Sequence, residues 1–97
     1  MNFVVNGYDF TDDKALERRM SVREQHMATI LEMKNSGKIV FAAAKIDKKG
    51  NMCGSTIYLE VESEDEVERY LDKEVYISGK VWDKVTVEIC KIPPLFK

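Results

Sequence analysis

Between Lys14 and Ser36 the sequence keeps one helical period without a break, and it is closed by Gly37, a residue free to adopt the positive φ that ends many helices. On a helical wheel Leu16, Met20, Met27, Ile30 and Leu31 share one apolar stripe, which predicts the face turned to the core. Thr11, Asp12 and Asp13 ahead of it supply N-cap candidates and negative charge at the helix's positive end. In a chain of 97 residues such a helix has to be the element around which the rest is arranged.

Two kinds of residue disturb that stripe. Arg23 falls inside the apolar arc, and Arg19 and His26 lie almost in line along one of its edges. Taking a guanidinium out of water costs on the order of several kcal/mol unless an acid or anion answers it. The plain reading is that the arginines snorkel past the core edge or pair with Asp or Glu, and that His26 is a hydrogen-bonded boundary residue. The sharper reading is a polar pocket at the edge of a packed helix, with Arg23 largely buried and paired with an acid or a bound anion.

The flanking segments read as strands and a second helix. Asn2 to Tyr8 alternates, Phe3 and Val5 against Val4 and Tyr8. Lys38 to Ile46 is apolar on both faces, as in a strand covered on both sides. After a turn at Lys48-Lys49-Gly50-Asn51, Cys53 to Glu62 sets Ser55, Ile57, Leu59 and Val61 against Thr56, Tyr58, Glu60 and Glu62, which predicts a hairpin with the strand before it. Ser63-Glu64-Asp65-Glu66 has the form of a capping box, and Val67, Tyr70 and Leu71 then recur at helical spacing. Lys73 to Val81 reads as an irregular loop with room for one helical turn. Trp82 to Lys91 is a last strand, ended by Pro93-Pro94. The order β-α-β-β-α-β predicts one α+β domain over residues 1–97, ferredoxin-like, with a four-stranded antiparallel sheet and both helices on one face. The other face should bury itself against a second subunit or enclose a pocket, so a homodimer is expected.

Composition narrows the function. A formal charge of −2 offers no general attraction to phosphate backbones or anionic lipid, which disfavours nucleic acid as a partner. An RNA-binding sheet would also need an aromatic-rich strand signature that is absent here. The first residues lack the charged and apolar regions of a signal peptide, and no apolar run approaches transmembrane length, so a cytosolic protein without membrane contact is expected. One histidine and two cysteines, Cys53 and Cys90, without Cys-x-x-Cys spacing argue against a metal site, and the cysteines read as small buried hydrophobes. No glycine-rich nucleotide loop is present, and no cofactor is expected.

Several motifs then fall in a recognisable order. Ala15-Leu16-Glu17-Arg18-Arg19-Met20-Ser21-Val22-Arg23-Glu24-Gln25-His26 follows the pattern LE-K/R-R-x-x-x-R-x-x-H, and Gly54-Ser55 and Tyr76-Ile77-Ser78-Gly79-Lys80-Val81-Trp82 fall where that pattern continues with GS and Y-V-x-x-G-V-W/Y. Over nearly its whole length the chain resembles the YciI-related family, small proteins with a dimeric α+β-barrel fold. The resemblance implies a small-molecule enzyme in which a histidine, here His26, and the aspartate of an Asp-Pro-Tyr motif share a pocket. Related barrels include lactone isomerases and dehydrohalogenases. This chain departs from the motif, reading Glu74-Val75-Tyr76, with a carboxylate one methylene longer and no φ-fixing proline. Gly79 stands one place early, with Lys80 in the glycine's position, and Ala42-Ala43-Ala44 replaces a Gly-Pro-containing strand end.

The chemistry that follows is proton transfer. A histidine accepts or donates a proton near neutral pH, and Glu74 beside His26 would fix its tautomer. Arg19 and Arg23 would hold an anionic group or stabilise developing enolate charge, Ser55 could add a hydrogen bond, and Tyr76 belongs to the same substrate-binding set. Asp47 and Asp72 are alternative partners for His26. The expected activity is isomerisation or elimination next to a carbonyl, on a small anionic or ring-containing metabolite. The alternative is a module of the same fold that binds a small anion without turnover.

Overall fold

The computed structural model describes residues 1–97. Strand β1 (Asn2–Asp9) leads to helix α1 (Ala15–Asn35), the hairpin β2 (Ile39–Ile46) and β3 (Met52–Glu60), helix α2 (Glu64–Asp72), the single turn α3 (Val75–Ser78) and strand β4 (Trp82–Cys90). A short 3-10 turn, Pro94–Phe96, follows. The strands form one antiparallel sheet in the order β2-β3-β1-β4, so the fold is the α+β, ferredoxin-like arrangement that the sequence predicts. The 73–81 segment, read from the sequence as an irregular loop with room for one helical turn, contains that turn as α3. No helix is long and apolar enough to cross a membrane.

Register explains the core. Phe3 lies opposite Leu59 and Ile89, and Val5 opposite Ile57 and Val87, so these side chains share the face that carries the helices. Phe3, Val5, Ile57 and Leu59 are buried there with Ile30 of α1 and Val67 and Tyr70 of α2. Each fully buried aliphatic side chain of this size contributes about 1.5–3 kcal/mol relative to exposure. Gly7, opposite Ser55, must be glycine: a Cβ there would sit 2.3 Å from the indole of Trp82, which packs flat on the strand.

Local signals came out unevenly. Gly37 takes φ +79 and closes α1 with its amide on the Lys34 carbonyl and the Lys38 amide on that of Met33, a Schellman closure. At the other end Lys14 occupies the N-cap position without a side-chain cap bond; of the three candidates Asp12 accepts the Lys14 amide at 3.2 Å and also holds Arg18 in a two-pronged pair at 2.8 Å. The capping box does not form either. The Ser63 hydroxyl makes no cap bond, and Glu66 accepts from the Glu62 amide at 3.2 Å while pairing with Lys38. Lys80, in the position where the resembled motif has glycine, holds φ +58, the left-handed region that glycine occupies at least cost.

Two larger expectations need correction. The buried face of α1 is not the predicted stripe: Leu16, Met20, Met27 and Leu31 are exposed, and only Ile30 of that set is buried. The inward residues are Ala15, Arg19, His26 and Ile30, with Val22 and Met33 packed against the core. These recur at spacings of three and four, as a helix face must, but two of them are polar. A wheel weighted by hydrophobicity therefore points away from the true core face. Strand β2 is likewise an edge strand, with Phe41, Ala42, Ala43, Ala44 and Ile46 all exposed in the single chain rather than covered on both sides.

Candidate active site

The polar residues of α1 are buried because the sheet and the α2–α3 junction supply their partners. Arg19, 2% exposed, donates through one terminal nitrogen to both Asp9 carboxylate oxygens at 2.8 and 3.1 Å, and through the other to the Gly54 carbonyl at 3.0 Å and the Ser55 hydroxyl at 2.9 Å. Asp9 ends β1 and Gly54-Ser55 lies on the adjacent strand, so one guanidinium ties the helix to two strands. Burial pushes the Asp9 carboxyl above its ordinary value, and the charge and hydrogen bonds of Arg19 only partly offset this. The remaining donor, Nε, is buried without an acceptor, and the guanidinium carbon lies 4.8 Å from the centroid of the Tyr76 ring, a cation–π contact.

One and a half to two turns further along α1, His26 stacks on Tyr76, the ring centroids 3.8 Å apart and the planes 9° from parallel. Trp82 meets both rings edge-on, at 5.6 Å from Tyr76 and 6.1 Å from His26. His26 makes its one hydrogen bond through Nδ1, to Glu74 Oε1 at 2.7 Å. The same carboxylate accepts the Tyr76 amide at 3.1 Å on Oε1 and the Tyr70 hydroxyl on Oε2. Burial alone would raise the Glu74 carboxyl. The hydrogen bond and charge of His26, with the bonds from Tyr70 and Tyr76, outweigh it and hold the group below its ordinary value. An ionised carboxylate can only accept, so Nδ1 carries a proton and Nε2 is the free ring nitrogen.

A cavity of about 200 Å³ opens between α1, β2 and β3, with Arg19, Arg23, His26, Ser55 and Tyr76 among its lining. Ala42, Ala43, Ala44, Met27, Met52 and Ile57 form its apolar wall. Arg23 is partly buried at the cavity, as its place on the helix predicts, and no carboxylate of the chain pairs with it. It is the cation of the cavity without a protein counter-charge. No group of three or more His, Cys, Asp or Glu side chains is arranged to hold a metal ion.

The structure thus brings His26, Glu74, Arg19, Ser55 and Tyr76 into one cluster and puts Arg23 beside the same cavity. Glu74, not Asp47 or Asp72, is the carboxylate on His26; Asp47 instead holds the β2–β3 turn through the Lys49 and Asn51 amides. Arg19 differs in kind from its predicted role, since its charge is already met by Asp9. Three members were not among the predicted site residues: Tyr70, whose place four residues before Glu74 was a usable signal, and Asp9 and Trp82, which join the site only across the sheet.

The chain is similar to known proteins over nearly its whole length. The YCII-related domain matches residues 1–91. Protein YciI of Escherichia coli O6:H1 is 28% identical over 94 residues, covering 91% of this chain and 94% of its own, and Protein YciI of Shigella flexneri matches equally. Among solved structures, 5-chloro-2-hydroxyhydroquinone dehydrochlorinase from Burkholderia phenoliruptrix AC1100, in complex with 2,5-dihydroxybenzoquinone, superposes with a TM-score of 0.81 at 23% identity, covering 94% of both chains. A dimeric ferredoxin-like protein from an uncultured marine organism gives 0.53 at 17% identity over 92% of each. At these identities the two structures speak for the fold.

Proposed function

The chain belongs to the YCII-related domain family, and from that premise we propose that it is a small-molecule enzyme in which His26 moves a proton on a substrate bearing one anionic group. The observation that carries this reading is the His26–Glu74 pair: Nδ1 is committed to the carboxylate, and the ring borders a cavity whose free cation is Arg23. With the ring neutral and its proton on Nδ1, Nε2 is the base. It takes a proton from a carbon next to a carbonyl, and Glu74 stabilises the imidazolium that forms. The proton is then returned at another position, giving isomerisation, or a leaving group departs, giving elimination. Arg23 holds the substrate's anion or the developing enolate. Ser55 and Tyr76 shape the cavity, and Arg19 fixes Ser55. A volume of about 200 Å³ lies below the roughly 300–1,000 Å³ typical of drug-sized ligand sites, which favours a small metabolite. The dehydrochlorinase neighbour adds hydroxylated or halogenated rings to lactones and keto acids as candidates.

Thermal-shift screening against those classes, followed by proton exchange into D2O monitored by NMR, tests the reading. Binding without exchange or turnover would leave the non-catalytic anion-binding module, which the Glu74-Val75 departure favours. Arg23→Met is expected to keep the fold, since no internal partner is lost, and to weaken an anionic ligand about 10- to 100-fold, the value of a charge-assisted hydrogen bond. Unchanged affinity in that variant would remove Arg23 from the site.

We also infer that two copies pack through the open faces of their sheets. Val4 lies opposite Tyr58, which lies opposite Phe41, itself 61% exposed, so an apolar band crosses the face away from the helices. A hollow of about 500 Å³ there, lined by Val40, Phe41, Tyr58, Ile92 and Phe96, gives a partner something to fill. Sedimentation at micromolar concentration should report twice the chain mass; a species of 11.2 kDa would overturn this.

A further inference from the structure

The Glu74 carboxylate is held at both ends. Oε1 receives His26 Nδ1 and the Tyr76 amide, while Oε2 receives the Tyr70 hydroxyl. Tyr70 sits in the last turn of α2, buried in the core near Val67, and the turn continues through the Glu74 amide on the Leu71 carbonyl. The α2–α3 junction therefore sets the hydroxyl and the carboxylate against each other.

We propose that Tyr70 is a positioning residue for His26, acting through Glu74: by fixing Oε2 it keeps Oε1 on Nδ1 and Nε2 turned to the cavity. The inference rests on the reading of His26 as the proton-transfer group. A glutamate has one more rotatable bond than an aspartate, and here no proline follows to stiffen the backbone. With Oε1 alone anchored, the carboxylate could swing about its last torsion, which is broad and soft. The second anchor removes that freedom. Tyr70 is a fixed donor rather than a shuttle, because burial, together with the Glu74 charge and hydrogen bond, pushes its phenol far above the usual range. The clamp is also matched to glutamate: an aspartate at 74 would withdraw the carboxylate by about 1.5 Å, one C–C bond, and could not keep both partners.

The test uses the full chain with ¹³C-labelled glutamate and ¹⁵N-labelled histidine. In Tyr70→Phe the Glu74 carboxyl should titrate higher, toward or past its ordinary 4.5, because a hydrogen bond to the charged form is gone. At fixed neutral pH the His26 ring nitrogens should lose their single-tautomer pattern. Glu74→Asp should give the same loss, and adding Tyr70→Phe to it should change little further, since both remove one clamp. If Tyr70 is only a core aromatic, Phe fills its place, and an unmoved Glu74 titration with an unmoved His26 pattern overturns the proposal. Should Tyr70→Phe fail to fold, the parent protein still decides: a downfield Tyr70 hydroxyl proton that shifts as Glu74 titrates supports the clamp, and one that ignores it refutes it. None of these readouts needs a substrate, so the clamp can fail while His26 remains the proton-transfer group. Loss of exchange activity in His26→Gln tests that reading separately.

Discussion

Replacing Arg19 by methionine is expected to destabilise the fold by about 3–5 kcal/mol, the usual consequence of removing one partner of a buried ion pair. Both side chains are nearly inaccessible, at 3% and 5%, so water cannot take the guanidinium's place. The Gly54 carbonyl and Ser55 hydroxyl lose their donor with it. The effect should depend on pH, and the sign follows from Asp9. Burial already raises that carboxyl, and without Arg19 it rises further. A folded state that holds its proton more tightly than the unfolded chain is favoured at low pH, so the variant's deficit should be smallest below about 3.8, the ordinary value, and grow as pH climbs through the folded one. Denaturant unfolding of both proteins at several pH values measures this. Adding Asp9→Asn should recover most of the loss near neutral pH. A uniform deficit that Asp9→Asn does not relieve would mean that the pair is not what Arg19 contributes.

The second large effect is on chemistry. His26→Gln should lower turnover of the substrate found by screening about 10²- to 10⁴-fold, the range for removing a positioned general acid–base group. The loss should lie in kcat more than in KM, because Arg23, which holds the anion, is untouched. Glutamine can still donate to Glu74, so the carboxylate keeps a partner, but the ring stack on Tyr76 is lost. Turnover within tenfold of the parent would show that the proton moves through another group, and the proposal for His26 would fall.

Spacing of glutamate and tyrosine offers a lesson about where such sites hide. Tyr70 lies in α2 and Glu74 just beyond it, at the N-cap of α3, yet their separation of four residues still places them as on one helix because backbone bonds carry the turn past the end of α2. Trp82 has no such local reporter. Its indole reaches the histidine by lying on Gly7 of a neighbouring strand, and only the pairing of β1 with β4 reveals that glycine as the space it needs.

The sequence by itself determined the element order, the strand faces of β1 and β3 and the closure of α1 at Gly37, because each is set within a few residues by side-chain alternation or by the freedom of one glycine. It also marked Arg19, Arg23 and His26 as anomalies on their helix. Which face of α1 is buried was decided only by the tertiary structure. The period of a helix records where residues sit relative to one another, not what waits across from them, and Leu16, Met20, Met27 and Leu31 outweigh Arg19 and His26 on any apolar scale. The polar face is the inward one because Asp9, from the end of β1, and Glu74, from the far side of α2, arrive to satisfy it. Those meetings are made by sheet register and chain return over separations of 10 and 48 residues, and no local pattern encodes them.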